Sequence, residues 1–227
     1  VNRSVEKPAI ALVDYGGGNL RSVEMALASV GANVRMTGDP AWIEQADGIV
    51  SPGQGAFGDV MGALERCGLR DVVRRRAQEA RDGGRPFFGI CVGMQYMVEG
   101  SEEEPGVAGM GLFTGRCKRL RPEDPSLKVP HMGWNQLIFR PGDGARLFAG
   151  LPDRAYVYFV HSFYPDPEDK SVWAAETEYG VRFCSALAKR NLFATQFHPE
   201  KSQQTGLKIL RNFVELVERS ARERAGA

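Results

Sequence analysis

Pro86-Phe87-Phe88-Gly89-Ile90-Cys91-Val92-Gly93-Met94-Gln95-Tyr96 decides how this chain is read. The apolar run at 86–90 predicts a buried strand, and Met94, Gln95, Tyr96, Met97 and Val98 begin a helical pattern. Between them stands a cysteine with a glycine two residues away on either side. Strand, Gly-x-Cys-x-Gly and helix make the cysteine version of a nucleophile elbow. Its turn is so tight that Gly89 and Gly93 are needed for the flanking backbones to pass without Cβ clashes. Such a turn holds the sulfur at the carboxyl end of a strand with a helix N-terminus aimed at it, which favours the nucleophilic thiolate. A buried structural cysteine in a strand-to-helix turn is the other reading, since free cysteine is among the most buried residue types. The rest of the chain decides between them.

Upstream, Ala9-Ile10-Ala11-Leu12-Val13 is a continuous apolar run, the pattern of a strand buried on both faces. Tyr15-Gly16-Gly17-Gly18-Asn19 is a glycine turn, and Leu20, Val23, Leu27 and Val30 then recur at helical spacing up to Gly31. Strands are expected at 34–37 and 48–50, the latter running into Ser51-Pro52-Gly53-Gln54-Gly55, with helices at 58–65 and 69–81. Strands alternating with helices indicate an α/β fold with a largely parallel sheet flanked by helices. The glycine turn is not a dinucleotide fingerprint. It lacks the final glycine of GxGxxG, and Val34-Arg35-Met36 offers no acidic residue for a ribose. The basic run at 70–85 is punctuated by Glu79 and Asp82, with Glu79 four residues after Arg75, and reads as a solvated helix face.

Beyond Ser101 the character changes. Glu102-Glu103-Glu104-Pro105-Gly106 is a charged loop, and short apolar stretches then alternate with turns at 115–120, 136–139, 156–160, 172–175, 182–188 and 192–197. These predict mostly antiparallel strands in the C-terminal half of the same domain, because no linker-like segment separates the halves. An amphipathic helix at 206–224 closes the chain. One domain over 8–224 is expected, with flexible ends at 1–7 and 225–227.

The totals narrow the function classes. With 43% apolar residues the 227-residue chain can build a full core, and a formal charge of +1 gives no general attraction to nucleic acid or an anionic membrane. Cys67, Cys91, Cys117 and Cys184 contain no CxxC pair, so neither a zinc site nor a thioredoxin-type motif is indicated, and a reducing cytoplasmic compartment is expected. Residues 1–8 are polar and charged, and no apolar run approaches the length of a bilayer span, so a soluble protein is expected.

A thiol nucleophile needs a base, and the chain has three histidines. His198 follows the apolar run at 192–197, and Pro199 prevents the ladder from continuing. Glu200 lies two residues on, where a carboxylate can fold back to one imidazole nitrogen and leave the other facing the sulfur. His161 and His131 have no nearby carboxylate in sequence and read as hydrogen-bonded structural histidines. Acyl transfer also needs donors for the oxyanion. The residue after the nucleophile, Val92, supplies one backbone N–H. The Pro52-Gly53-Gln54-Gly55 turn is the candidate for the second, since glycines let amides approach a ligand closely, although a plain strand-to-helix turn reads the same way.

Together these elements resemble the class I, triad-type glutamine amidotransferases. The carriers are Pro-Gly-x-Gly at 52–55, Gly-x-Cys-x-Gly-Met-Gln at 89–95 and Phe-His-Pro-Glu-Lys-Ser at 197–202. More narrowly, the chain is similar to the glutaminase subunits of imidazole glycerol phosphate synthases. That similarity rests on Asp14-Tyr15-Gly16-Gly17-Gly18-Asn19-Leu20, Pro130-His131-Met132-Gly133-Trp134-Asn135 and Tyr158-Phe159-Val160-His161-Ser162-Phe163. The resemblance implies a flavodoxin-like amidotransferase fold with extra antiparallel strands and no cofactor or metal. It implies that Cys91 attacks the carboxamide of glutamine, that His198 moves the proton to the leaving ammonia, and that Glu200 orients His198. Val92 and Gly55 would hold the oxyanion, and Gly53, Gln95, Ser162 and Phe163 would bind glutamine. The implied partner is a (β/α)8 cyclase subunit, joined as a heterodimer through a surface that includes Asn19, Met132, Trp134, Asn135 and Lys201. The ammonia passes to that subunit, which makes imidazole glycerol phosphate and an aminoimidazole carboxamide ribotide in histidine biosynthesis. One position departs from the pattern: Gln54 stands where relatives often carry valine.

Overall fold

The apolar run at the start of the chain forms β1 (Ala9–Val13), buried along four of its five residues, as a strand covered on both faces requires. After the glycine turn come α1 (Leu20–Ser29), β2 (Asn33–Thr37), α2 (Pro40–Gln45), β3 (Gly48–Gly53), α3 (Phe57–Arg66), α4 (Arg70–Arg81) and β4 (Phe87–Cys91). The computed structural model describes residues 7–226, so the expected flexible ends fall outside it apart from Lys7, Ala225 and Gly226. Helix α2 was not expected from the sequence. It starts where the Asp39 carboxylate accepts from the Ala41 N–H (2.9 Å), and Pro40 takes a first-turn position where a missing N–H costs nothing.

The expected helix after Cys91 is a single turn, α5 (Val92–Gln95), and does not reach Val98. The Met97 carbonyl accepts from the Leu112 and Phe113 N–H groups (2.8 and 3.1 Å), so sheet pairing ends the helix and starts β5 (Val98–Ser101). The C-terminal half continues with β6 (Phe113–Arg119), β7 (His131–Gln136), β8 (Ile138–Phe139), β9 (Tyr156–His161), β10 (Phe163–Pro167), β11 (Trp173–Glu178), β12 (Arg182–Lys189) and β13 (Leu192–Thr195), and ends in α6 (Gln203–Ala225).

The central sheet runs β2-β1-β3-β4-β13-β12-β11-β8. Its first five strands are parallel neighbours, and the last three add antiparallel pairings. The α/β reading with extra antiparallel strands in the C-terminal half is therefore what the chain adopts. Strand β13 positions the site. Although it arrives from the antiparallel half, it lies parallel to β4, with Ala194 opposite Gly89 and Thr195 opposite Ile90. The segments that follow both strands, Cys91 on one and 196–198 on the other, thus emerge side by side at the carboxyl edge of a parallel sheet, where ligands of open α/β sheets bind. A smaller sheet, β10-β6-β5, and a ribbon, β7-β9, stand beside that edge. The His198 N–H donates to the Tyr158 carbonyl (3.0 Å), tying the ribbon to the site.

The basic run at 70–85 is not simply a solvated face. Arg76 is 1% exposed, donates to the Ala46 carbonyl (2.9 Å) and pairs with Glu79, which also takes Arg85 (2.8 Å). Burial favours the neutral Glu79, but the hydrogen bonds and charges of Arg85 and Arg76 win and hold it at about 2. Arg75 pairs instead with Glu44 (2.9 Å). The cluster clamps α4 to the end of α2.

Candidate active site

Cys91 has φ 57° and ψ −111°, in the half of backbone space that a residue with a Cβ avoids. Close packing holds it there. A Cβ on Gly89 would lie 2.4 Å from the Gly93 carbonyl oxygen, and one on Gly93 would lie 2.0 Å from that of Ser51. Both glycines of the elbow are therefore required by close approach. The buried Tyr96 hydroxyl donates to Ser51 Oγ (2.6 Å) and pins the turn to β3. Because α5 is one turn long, few peptide dipoles align toward the sulfur, and the helix contributes less there than the sequence suggested.

The base arrives from β13. Pro199 opens a short 3₁₀ turn, Pro199–Lys201, which folds Glu200 back under the ring, so that His198 Nδ1 and Glu200 Oε1 are 2.8 Å apart. Their side chains are 5% and 1% exposed. With Nδ1 on the carboxylate, Nε2 is left for Cys91, whose sulfur lies close enough for its charge to act on the imidazole. Burial works against the imidazolium, but the Cys91 sulfur and the Glu200 carboxylate outweigh it and push His198 up to about 10. A protonated imidazole beside a nucleophilic sulfur is set to protonate a leaving amine.

Cys91 and His198 open onto a cavity of about 240 Å³ that Val92, Gly55, Gln95, Ser162 and Phe163 also line. It has room for one small polar molecule. Gly53 does not line it. A Cβ there would lie 2.7 Å from Val92 Cβ and 2.8 Å from the Gly93 nitrogen, so Gly53 serves to let β3 pass the elbow. The Gln54 N–H donates to the buried Tyr15 hydroxyl (3.3 Å).

Two side chains here escaped the sequence reading. Glu103 lines the cavity with a carboxylate fit to face a cationic group, and it accepts from the Phe57 N–H at the start of α3 (2.8 Å). In sequence it belongs to the charged loop at 102–106, where nothing sets it apart from its acidic neighbours. Gln196 places its Nε2 3.6 Å from Cys91 Sγ. The available signal was its spacing, two residues before His198, which puts both on one side of an extended chain.

The other two histidines form a buried chain. Gln95 Nε2 donates to the Phe163 carbonyl (2.9 Å), and His161 Nδ1 donates to the same oxygen (3.0 Å). His161 Nε2 must then accept from His131 Nδ1 (3.1 Å), and His131 Nε2 accepts from Asn135 Nδ2 (3.4 Å). Burial pushes His131 down to about 4, and burial with the neighbouring His131 and His198 pushes His161 down to about 3.

On the outside of the same ribbon, Met132 is 63% and Trp134 45% exposed. Trp134 packs edge-on against Tyr158 across the pair (ring centroids 5.9 Å), and the exposed Tyr156 lies near them on β9. Asn19, preceding α1, and Lys201, after His198, are half-buried. The Asn135 amide turns inward, donating to the Glu178 carbonyl (2.9 Å) as well as to His131. Among the described residues, no group of three or more His, Cys, Asp and Glu is placed to hold a metal ion, and no helix is long and apolar enough to cross a membrane.

Residues 11–217 match the family described as glutamine amidotransferase class-I. Among similar relatives, the imidazole glycerol phosphate synthase subunit HisH of Methanothermobacter thermautotrophicus is 47% identical over 208 residues, 92% of this chain and 98% of its own length. The subunit of the same name from Syntrophotalea carbinolica is 48% identical over 209 residues, with 90% and 98% covered. A solved structure described as a glutamine amidotransferase superposes with a TM-score of 0.68 at 19% identity, covering 91% of this chain and 98% of its own. The glutaminase domain of Trypanosoma brucei CTPS gives 0.64 at 16% identity, with 95% and 94% covered. At such identities the likeness is one of fold.

Proposed function

The chain belongs to the class-I glutamine amidotransferases and, within them, to the imidazole glycerol phosphate synthase HisH subunits, and on that footing we propose how its site works. The protein hydrolyses glutamine to glutamate and ammonia. It delivers the ammonia to a (β/α)8 cyclase subunit, which makes imidazole glycerol phosphate and an aminoimidazole carboxamide ribotide in histidine biosynthesis.

Cys91 Sγ attacks the side-chain carboxamide carbon of glutamine, and the carbonyl π pair moves onto oxygen. The Val92 and Gly55 N–H groups hold that oxyanion. As it collapses, the C–N bond breaks and His198 Nε2 gives its proton to the departing nitrogen, which leaves as ammonia. Water then attacks the γ-glutamyl thioester, with His198 taking its proton, and the C–S bond breaks to release glutamate and regenerate the sulfur nucleophile. Glu200 fixes the ring and stabilises its charge. Gln95, Ser162 and Phe163 bind glutamine in the cavity, with Gly53 letting β3 pass close behind the elbow and the Glu103 carboxylate facing the α-ammonium group. Met132 and Trp134 form the apolar part of the surface that receives the cyclase subunit, with Asn19 and Lys201 around them and Asn135 behind the ribbon, holding His131. A single amidotransferase domain spans 8–224, and the heterodimer works in the cytoplasm.

The observation that carries this reading is the Glu200–His198–Cys91 constellation opening onto a cavity of about 240 Å³. The test is glutamate release from glutamine by the pure chain, alone and with the cyclase subunit and its nucleotide ligand. Release that depends on the cyclase subunit is expected. Full turnover alone, unaffected by that subunit, would instead make the chain an independent hydrolase.

A further inference from the structure

The amide of Gln196 lies fully buried beside the nucleophile, and the triad leaves it unexplained. Its orientation is fixed by its neighbours. The Phe163 carbonyl can only accept, so Gln95 must present Nε2 to it (2.9 Å), and the second hydrogen of that nitrogen reaches Gln196 Oε1 (3.1 Å). With Oε1 committed, Gln196 has its NH₂ group for Cys91 Sγ at 3.6 Å. An amide nitrogen does not accept, so the sulfur is the acceptor.

We propose that Gln196 is a hydrogen-bond donor to the nucleophile, stabilising negative charge on the Cys91 sulfur while its carbonyl fixes Gln95 in the glutamine site. The need for such a donor follows from the local fold, because the one-turn α5 brings few aligned dipoles to the sulfur. His198 supplies the opposite charge, but it must give up its proton when ammonia leaves. A neutral amide never titrates and stabilises the sulfur through both halves of the reaction. In the second half, the electron pair of the breaking C–S bond comes to rest on that sulfur, and the Gln196 N–H is already aimed at it. Among buried groups, a hydrogen bond to a charged acceptor is stronger than one between neutral groups.

The inference rests on Cys91 as the nucleophile, so its test reads the sulfur rather than turnover. Iodoacetamide alkylation of Cys91 in the complex with the cyclase subunit, located by peptide mass spectrometry, separates it from the other three cysteines. Gln196→Met and Gln196→Glu are each expected to slow alkylation at neutral pH by about 10-fold or more and to move its pH profile upward. Gln196→Glu keeps an acceptor for Gln95, so KM for glutamine stays within about threefold while kcat falls, whereas Gln196→Met raises KM as well. Alkylation at the wild-type rate in variants folded by circular dichroism would overturn the proposal, reducing Gln196 to a support for Gln95. The wild-type protein gives a second reading that does not depend on how the variants fold. The Gln196 side-chain amide proton resonances should shift with the same pH midpoint as Cys91 alkylation, and resonances that ignore that midpoint would contradict the proposal. Glutamate release surviving in Cys91→Ala would instead defeat the assignment of Cys91 as the nucleophile, on which the inference rests, and leave the donor geometry untouched.

Discussion

His198 and the His131–His161 pair are buried to nearly the same degree, yet their surroundings shift their proton affinities in opposite directions. Burial penalises the charged imidazole in all three. The difference lies in the partners. His198 sits between a sulfur and a carboxylate, both able to carry negative charge, whereas the ribbon histidines are surrounded by a carbonyl, an amide and each other. One ring is built to hold and pass a proton. The other two stay neutral, with their tautomers locked by a carbonyl that can only accept. Residue type and depth therefore do not assign a histidine's work; the charge of its immediate neighbours does.

Removing the sulfur breaks the contrast most completely. Cys91→Ala is expected to lower glutamate release in the complex by roughly 10³-fold or more, measured as steady-state kcat. The titration midpoint of His198 should fall toward the ordinary histidine range in an NMR titration.

Glu200→Gln is the next largest change, lowering kcat by roughly 10²-fold or more because the imidazolium loses its buried counter-charge. The pH dependence has a definite sign. His198 is raised in the folded protein, so its charged form persists through neutral pH and is lost only as pH rises through about 10. The stability it contributes is present below the unfolded value and disappears over the same alkaline window. In Glu200→Gln, the alkaline limb of glutamate release should move to lower pH.

The ribbon allows a smaller test on its outer face. Trp134→Ala is expected to weaken binding of the cyclase subunit by about 1–3 kcal/mol, or roughly 5–150-fold in Kd, measured by calorimetry. The Tm of the isolated chain should hardly change, since the indole is 45% exposed.

The smallest effect tests the neutral pair. His131 and His161 are depressed in the folded state, so the unfolded chain binds more protons as pH falls below the ordinary histidine value. Stability should therefore fall through that window and level off below about 4 and about 3 respectively. His131→Gln should flatten this acid loss by on the order of 1 kcal/mol, read from urea midpoints at neutral and mildly acidic pH. An unchanged acid slope would show that the buried pair is not its source.

Much of this contrast was legible in the sequence. Gly89, Cys91 and Gly93 specify the elbow because local sterics leave no alternative, and Pro199 with Glu200 specifies the folded-back carboxylate for a similar reason. What the sequence hid depends on distant chain. Val98 continues a helical pattern, but pairing with β6 claims it for a strand. The Pro130–Asn135 stretch lies outside the strands expected from the sequence and is mostly the strand β7, because β9 supplies its ladder. Segment 163–167 contains two prolines that argue against a strand, yet it forms β10 at the edge of its small sheet, where proline is tolerated. Arg76 lies in a run that reads as solvated, and only the Ala46 carbonyl and Glu79 explain its burial. The Gln196 amide meets the sulfur only because β13 lies parallel to β4.

The most direct measurement traps the intermediate. The complex with the cyclase subunit is mixed with glutamine, quenched in acid during the first turnovers, digested and analysed by peptide mass spectrometry. A γ-glutamyl adduct on the peptide carrying Cys91, formed in wild type and absent in Cys91→Ala, is the expected result. Steady glutamate release with no adduct at Cys91, or with the adduct on Cys67, Cys117 or Cys184, would contradict the assignment of the nucleophile and of the site built around it.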